Sequence, residues 1–454
     1  MDADKKIAYV DESIFLTYDM YTRLDTRYEG FEQQPRLKGY WIEEIPIGKK
    51  VEQETIEVNQ KKFIKASIRK LIVFPMSLRS YVIEPGTLRA SYKFENSRSN
   101  KTVLLPNPVE LTINDFPWEG KPVSFTGSSG EYQIESTLSR QAENLVFKVI
   151  VQGRGNIRQV KIPDIDFSPN FQAENLEEHV DLKFNGSSIE GTKTFYFNLH
   201  PTHTGNLVIP AVVFSYFNPE KNAYETVRSK ELNVQIDSIP TALPVQKTKF
   251  QKGLIVLLDV SGTMLAEDMG RKKSRLSVAK TLALKLIQES NQDWICLKTF
   301  RIDTLQSVCS SNKDEVLNQA SNIRETDFQD GTALGNTIFE AIKNLNQNVE
   351  LSKTIVLLTD GTTNTGYIDP LTAFELAREN GVVIHSLALG KGGRVPFPIK
   401  DPKTGKRQLV QAEVNVDEEV LSEISQVTGG KLLRIKNLNE VNEIIKDGSR
   451  LRNV

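Results

Sequence analysis

Asp259, Ser261 and Thr263 occupy alternate positions of one short segment, Leu258-Asp259-Val260-Ser261-Gly262-Thr263, so a carboxylate and two hydroxyls can face a single point. Asp259 supplies charge, Ser261 and Thr263 supply neutral oxygen, and Gly262 permits the tight backbone. Such a set suits a hard cation, because Mg2+ takes about six oxygens at about 2.0 to 2.1 Å and keeps several of them as water. Two later segments add further oxygen donors, Thr332 in Asp330-Gly331-Thr332 and Asp360 in Thr359-Asp360-Gly361. Taken singly, each has a plainer role, since Asp after a strand often caps a helix and Thr332 precedes a helix that it could cap. Their joint occurrence, DxSxT then DGT then TDG, points to one site built from three loops. The set contains no His or Cys, which excludes zinc and favours Mg2+ or Mn2+.

The elements that must position these loops read as strands alternating with amphipathic helices. Residues 254–258 form a buried strand, 274–290 a helix and 294–300 the next strand. In the helix, Leu276, Ala279, Leu282, Ala283, Leu286 and Ile287 recur at three- and four-residue steps and make one core-facing stripe. The alternation continues with a helix at 334–345, a strand at 354–359, a helix at 370–380, a strand at 382–389, and helices at 418–428 and 438–445. Strands that read as continuous apolar runs are buried on both faces, so 252–449 is expected to be an α/β, doubly wound, Rossmann-like domain with a mainly parallel sheet. Ligands of such folds bind beyond the carboxyl ends of the strands. Asp259 and Asp360 stand at two such ends, and Asp259→Ala is expected to remove Mg2+ binding with the fold intact, the residue being placed in the crevice rather than the core.

Before this domain the texture differs. Residues 5–238 are short alternating strands broken by Pro and Gly, without long helical periodicity, and their length suits two all-β, immunoglobulin-like sandwich domains at 5–115 and 118–238. The join falls near Pro117, Gly120 and Pro122, and a hairpin is expected at 218–222. Each half ends in a similar layout, which suggests related modules in tandem. Residues 239–251 have linker composition. A chain of 454 residues exceeds what one core supports, so a multidomain protein is expected.

Lys plus Arg (57) nearly cancels Asp plus Glu (58), and a net charge of −1 sets up no field that would gather nucleic acid or anionic lipid. The one basic run, RKKSR at 271–275, is read as a solvated loop. Cys296 and Cys309 lack the CxxC spacing of a zinc or redox site; a disulfide framework is excluded, although one isolated bridge is not. His200 and His203 read as a turn entering a strand, and with His179 and His385 are too scattered for a zinc cluster. No apolar stretch approaches the roughly 20 residues that cross a bilayer. The first residues, MDADKKIAYVDE, lack the apolar core of a secretion signal, so a cytoplasmic chain or a trimmed exported one is expected.

The order DxSxT, distant Thr, distant Asp resembles the von Willebrand factor A family and its metal-ion-dependent adhesion site, usually written DxSxS. The resemblance implies that Ser261, Thr263 and Thr332 coordinate metal, with Asp259 and Asp360 acting directly or through water. Thr263 stands where Ser is usual, which keeps the hydroxyl and adds a methyl, so the site is expected to survive. The segments Gly366-Tyr367-Ile368-Asp369-Pro370, AFELARENGVVIHSLALGKGG and Val395-Pro396-Phe397-Pro398 resemble the Bat aerotolerance branch (BatA type) of that family. PRLKGYWIEEI, IEPGTL and IPAVVFSYFNPEKNAYET in the β-rich region are similar to BatD. This likeness implies a non-enzymatic protein of the cell envelope, on the periplasmic side of the membrane, that binds an acidic group of a partner through its cation. Partners implied are Bat-type envelope subunits and a MoxR-type AAA+ ATPase, in oxygen tolerance or envelope stress. Two other readings use the same site: a cell-surface adhesin, and a hydrolase in which the cation activates water. Against the hydrolase, no nucleophile has a partner at recognisable spacing and the P-loop GxxxxGK is absent. Gly390-Lys391-Gly392-Gly393 opens no helix and reads as a flexible turn.

Overall fold

Ile14–Thr22 and Ser188–Pro201 alternate buried and partly exposed positions along most of their length, the period-two burial that a strand with one covered face requires. In the computed structural model this pattern dominates the first of two compact units, Met1–Gln246 and Lys247–Val454. The structure describes residues 1–47, 53–78, 82–93, 99–141, 144–239, 249–270, 272–302, 304–320, 323, 331–363, 365–401, 406–437 and 440. Strands far outnumber helices among them, and no described helix is long and apolar enough to cross a membrane.

In the first unit, Lys61–Pro75 pairs antiparallel with Ile14–Thr22, Tyr40–Glu44 and Gln53–Val58. Its core gathers Leu16, Tyr18, Tyr40, Leu71, Val73 and Ile83. Further along, Phe125–Gln141, Asn144–Gly155, Phe171–Asn185, Ser188–Pro201, Val213–Asn218 and Ala223–Arg228 form a six-stranded sheet. The hairpin expected at 218–222 is present, joining Val213–Asn218 to Ala223–Arg228. Among the described residues, strands before 115 and strands after 124 pair only within their own group. Side chains join the two groups: Asp11 accepts from the Ser129 N–H at 3.1 Å and the Asn156 amide at 2.8 Å, and Arg158 donates to Glu43 at 2.7 Å. Tyr9 meets Phe217 edge to face at 4.7 Å.

The second unit runs β1 (Phe250–Asp259), α1 (Arg275–Glu289), β2 (Trp294–Phe300), β3 (Thr304–Ser310), α2 (Lys313–Ala320), α3 (Leu334–Asn348), β4 (Val349–Thr359), α4 (Pro370–Glu379), β5 (Val382–Leu389), β6 (Arg394–Lys400), β7 (Arg407–Glu413), α5 (Glu418–Thr428) and β8 (Leu432–Ile435). Its main sheet has the order β3-β2-β1-β4-β5-β8, parallel except at β3. Leu254, Val256 and Leu258 pack with the apolar stripe of α1 and with Val316 and Ala320 of α2. Ile255 and Leu257, one residue out of step and so on the other face, are equally buried, and α3, α4 and α5 pack against β1, β4 and β5. Ser274 caps α1 by accepting from the Ser277 N–H, Asp369 caps α4 ahead of Pro370, and Gly429 closes α5 at φ 75°. The chain leaves β1 outward to β2 and then returns to β4 on the other side, so the ends of β1 and β4 flank the point where strand order reverses.

The second unit also holds elements that periodicity did not announce. β3 and α2 lie between the expected strand 294–300 and the expected helix 334–345, β6 and β7 form a separate hairpin, and β8 follows α5. Cys296 and Cys309 are paired as a disulfide across β2 and β3, the isolated bridge that their spacing allows. The helix expected at 438–445 lies outside the described residues apart from Glu440, as does most of the linker 239–251. The reading of 271–275 as a solvated loop requires correction. Lys272 and Lys273 are exposed, but Ser274 and Arg275 are buried, Arg275 at 0% exposure.

Candidate metal centre

The apolar run of β1 ends on Asp259, where a short 3-10 turn, Gly262–Leu265, takes over. Asp259 is wholly buried, and its carboxylate is held from both sides: Oδ1 accepts from the Ser261 N–H at 2.8 Å and Oδ2 from the Thr359 hydroxyl at 2.5 Å. The crevice position expected for it is therefore an enclosed one, and truncation to Ala would orphan two donors rather than leave the fold untouched. Ser261 Oγ and Thr263 Oγ1 lie 3.1 Å apart, and Thr263 Oγ1 is 3.5 Å from Thr362 Oγ1.

Asp360 follows β4 as Asp259 follows β1, and the two strands run side by side in register up to Leu258 and Leu358. It too is wholly buried; its Oδ1 accepts from the Thr362 hydroxyl at 2.7 Å and N–H at 3.2 Å. Thr332 is 3% exposed, and its carbonyl accepts from the Thr363 hydroxyl at 3.0 Å and the Thr365 N–H at 3.3 Å. The loops carrying Asp259, Thr332 and Asp360 are thus hydrogen-bonded to one another, the first to the third through side chains and the second to the third through the Thr332 carbonyl. Asp330, which precedes Thr332, lies outside the described residues.

Burial, reinforced by the charge of Asp360, pushes the Asp259 carboxyl up to about 7, against the lowering pull of its Thr359 and Ser261 hydrogen bonds. Asp268, on the segment after the turn, goes the other way. Burial opposes its ionisation, but the Arg275 guanidinium holds its carboxyl below the ordinary carboxylate range. Arg275 donates from Nη1 to Asp360 Oδ2 at 2.8 Å, from Nη2 to Asp268 Oδ2 at 2.9 Å and from Nε to Asp268 Oδ1 at 3.1 Å. The cluster therefore holds three buried carboxylates against one guanidinium. Buried charge without a counter-charge is costly, and a divalent cation beside Asp259 and Asp360 would offset the excess without protonation. Among the described residues no group of three or more His, Cys, Asp or Glu side chains could hold a metal. The oxygens gathered here are of another kind, the carboxylates of Asp259 and Asp360 with the hydroxyls of Ser261 and Thr263, and Thr332 is tied to the third loop through its carbonyl; hard oxygens of this sort suit Mg2+ and Mn2+.

Sequence reasoning missed Arg275, Asp268, Thr359 and Thr362. For Arg275 a signal existed. A cation in the first turn of a helix opposes the helix dipole, so an arginine there calls for a specific carboxylate partner. Thr359 carried no comparable mark, since it reads as one more β-branched strand residue.

Residues 254–362 match the family model described as von Willebrand factor type A domain, and residues 133–236 match the BatD DUF11 like domain. The chain is 29% identical over 202 residues to an uncharacterized protein of Borreliella burgdorferi, covering 44% of this chain and 59% of that one. It is 28% identical over 224 residues to a UPF0353 protein of Nocardia farcinica, covering 44% of this chain and 63% of that one. It thus spans about three fifths of the length of the curated relatives it matches. Among solved structures, an aerotolerance-related membrane protein from Bacteroides fragilis aligns at 23% identity and a TM-score of 0.37, over 44% of this chain and 98% of that one. The chain carries a von Willebrand factor type A domain over residues 254–362 and a BatD DUF11 like domain over residues 133–236.

Proposed function

We propose that this chain is a non-enzymatic interaction protein of a Bat-type system, whose Asp259, Ser261, Thr263, Thr332 and Asp360 hold Mg2+ or Mn2+. The observation that carries the reading is the excess of buried negative charge around Asp259 and Asp360, beside two hydroxyls 3.1 Å apart on the adjoining turn. When bound, the cation supplies an open coordination position that an acidic side chain of a partner protein completes. Asp259 and Asp360 provide the charge, Ser261, Thr263 and Thr332 the neutral oxygens, and Thr359 and Thr362 hold the carboxylates in place. In this reading residues 252–449 are a doubly wound, Rossmann-like A domain, and residues 5–115 and 118–238 are two immunoglobulin-like sandwiches that add contact surface.

The partners proposed are other Bat-type envelope subunits and a MoxR-type AAA+ ATPase. A location on the outer side of the cell membrane is supported by the disulfide Cys296–Cys309, which persists in oxidising compartments. The test is recovery of partners from native envelopes by the tagged chain, with Mg2+ and with chelator. Envelope subunits or the ATPase are expected with Mg2+ and lost with chelator. Recovery indifferent to chelator overturns the reading, and a host surface ligand in the captured fraction replaces it with an adhesin.

A further inference from the structure

Among the described residues of the second unit Arg275 is the largest charged side chain that is fully enclosed, and its guanidinium reaches three separate stretches of chain. Ser274 caps α1 and thereby fixes Arg275 at the first helical position. From there Nη1 donates to Asp360 Oδ2 at 2.8 Å and to the Asn415 carbonyl at 3.2 Å, and Nη2 donates to Asp268 Oδ2 at 2.9 Å and to the Val414 carbonyl at 3.3 Å. Asp268 Oδ2 also accepts from the Lys391 N–H at 2.8 Å. The surroundings are shaped around this group: a Cβ at Gly390, whose φ is +116°, would run into Arg275 Nε.

Asp360 is consequently divided between two tasks. Its Oδ2 is occupied by Arg275, while Oδ1 faces Thr362 and, through it, the Thr263 hydroxyl. A carboxylate free to rotate could present either oxygen to a cation, and one pinned at Oδ2 presents only the other. Partners that orient a metal-binding side chain in this way are commonly worth about ten- to a hundredfold in metal affinity.

We propose that Arg275 is a positioning residue for the cation site, fixing Asp360 through Oδ2 and coupling cation binding to the backbone at Lys391, Val414 and Asn415. The inference rests on the cation reading above. Two variants separate positioning from charge. Arg275→Lys keeps the charge and loses the planar fork that serves Asp268 and Asp360 together. Arg275→Met combined with Asp268→Asn keeps the net charge, because three carboxylates against one guanidinium leave the same excess as two carboxylates alone.

Calorimetric titration of the full chain with MgCl2 is expected to give an affinity about ten- to a hundredfold weaker in both variants than in the parent. Amide exchange at Lys391 is expected to slow on Mg2+ addition in the parent and in neither variant, a response that a merely structural role for Arg275 does not produce. Circular dichroism checks that each variant is folded, and where one is not, the other decides. Folded variants that bind Mg2+ as tightly as the parent, or a Lys391 amide indifferent to Mg2+ in a parent that binds it, overturn the proposal while leaving the cation reading standing. A parent that binds no Mg2+ overturns both.

Discussion

Thr359 donates its hydroxyl to Asp259 Oδ2 at 2.5 Å, so the last residue of β4 holds the carboxylate at the end of β1, two strands that lie side by side in the sheet. The same hydroxyl accepts from the Gly361 N–H at 3.0 Å, tying that carboxylate to the turn that carries Asp360. Neither loop is therefore free to drift from the other, and the charges of Asp259 and Asp360 are brought close enough to help raise the Asp259 carboxyl to about 7.

Asp259→Asn is expected to abolish Mg2+ binding while keeping the fold. The amide is isosteric: its oxygen still accepts from the Ser261 N–H, and its NH2 donates to the Thr359 hydroxyl, which can rotate to accept, whereas Asp259→Ala leaves both the Ser261 N–H and the Thr359 hydroxyl unsatisfied, at about 1 to 3 kcal/mol for each buried group. Calorimetry on the Asn variant beside its thermal melt is the check. Undiminished Mg2+ affinity would remove Asp259 from the site, and with it the charge argument on which the binding role stands.

Gly390→Ala tests the space around Arg275 rather than its charge. The backbone there has φ +116°, which side chains rarely adopt, and the new methyl would meet the guanidinium. Strain of this kind costs of order 1 to 3 kcal/mol per residue. A urea midpoint within error of the parent would mean that the Arg275 pocket has more room than the structure gives it.

Much of the second unit was legible because its strands are buried on both faces. The runs at 294–300 and 382–389 coincide with β2 and β5, and the stripe read from Leu276 to Ile287 is the buried face of α1. What stayed hidden follows from physics that acts across the chain. β3 is an edge strand, and the hairpin β6–β7 packs through Val395, Phe397 and Ala412 onto a small cluster with Ala266 and Val414, so neither shows a continuous apolar run. Spacing singled out Asp259, Ser261, Thr263, Thr332 and Asp360 as oxygen-bearing residues on three loops, and those loops are hydrogen-bonded to one another. Arg275 carried only the mark of a cation in a first helical turn, which calls for a carboxylate without saying which, and its partners lie 7 and 85 residues away. In the first unit, alternation announced strands but could not say that Asp11 is held by Ser129 and Asn156.

Asp11 gives the first unit a dependence on pH. Burial pushes its carboxyl from the ordinary 3.8 up to about 7, against the pull of its Ser129 and Asn156 hydrogen bonds and of Lys161. The folded state therefore binds this proton more tightly than the unfolded state, whose pKa is about 3.9, and its contribution to stability falls as pH rises between those values. Asp11→Asn removes the titration and suits the backbone, since φ 59° is a conformation that Asn tolerates. Urea unfolding at pH 5 and pH 8, followed in the first unit, is expected to show a smaller loss at the higher pH in the variant than in the parent. Equal losses in both proteins would assign the pH dependence elsewhere.

Cys296 and Cys309 sit opposite each other in the antiparallel register of β2 and β3, and their bridge closes a sequence separation of 13 residues around the edge of the sheet. Cys296 is wholly buried in β2 while Cys309 lies on the edge strand β3, so a reductant reaches the bond from the β3 side. A loop of about 15 residues gains about 3 kcal/mol from such a bridge in the chain-entropy description. Among the described strands of this sheet β3 alone runs antiparallel, paired on one side, and it depends on β2 for its ladder. Reduction, or replacement of both cysteines by Ala, is thus expected to destabilise the second unit by about 2 to 3 kcal/mol. The loss should appear first as faster amide exchange in Thr304–Ser310. If peptide mapping of the oxidised protein returns two free thiols, or β3 exchanges equally with and without reductant, the bridge does not hold this edge.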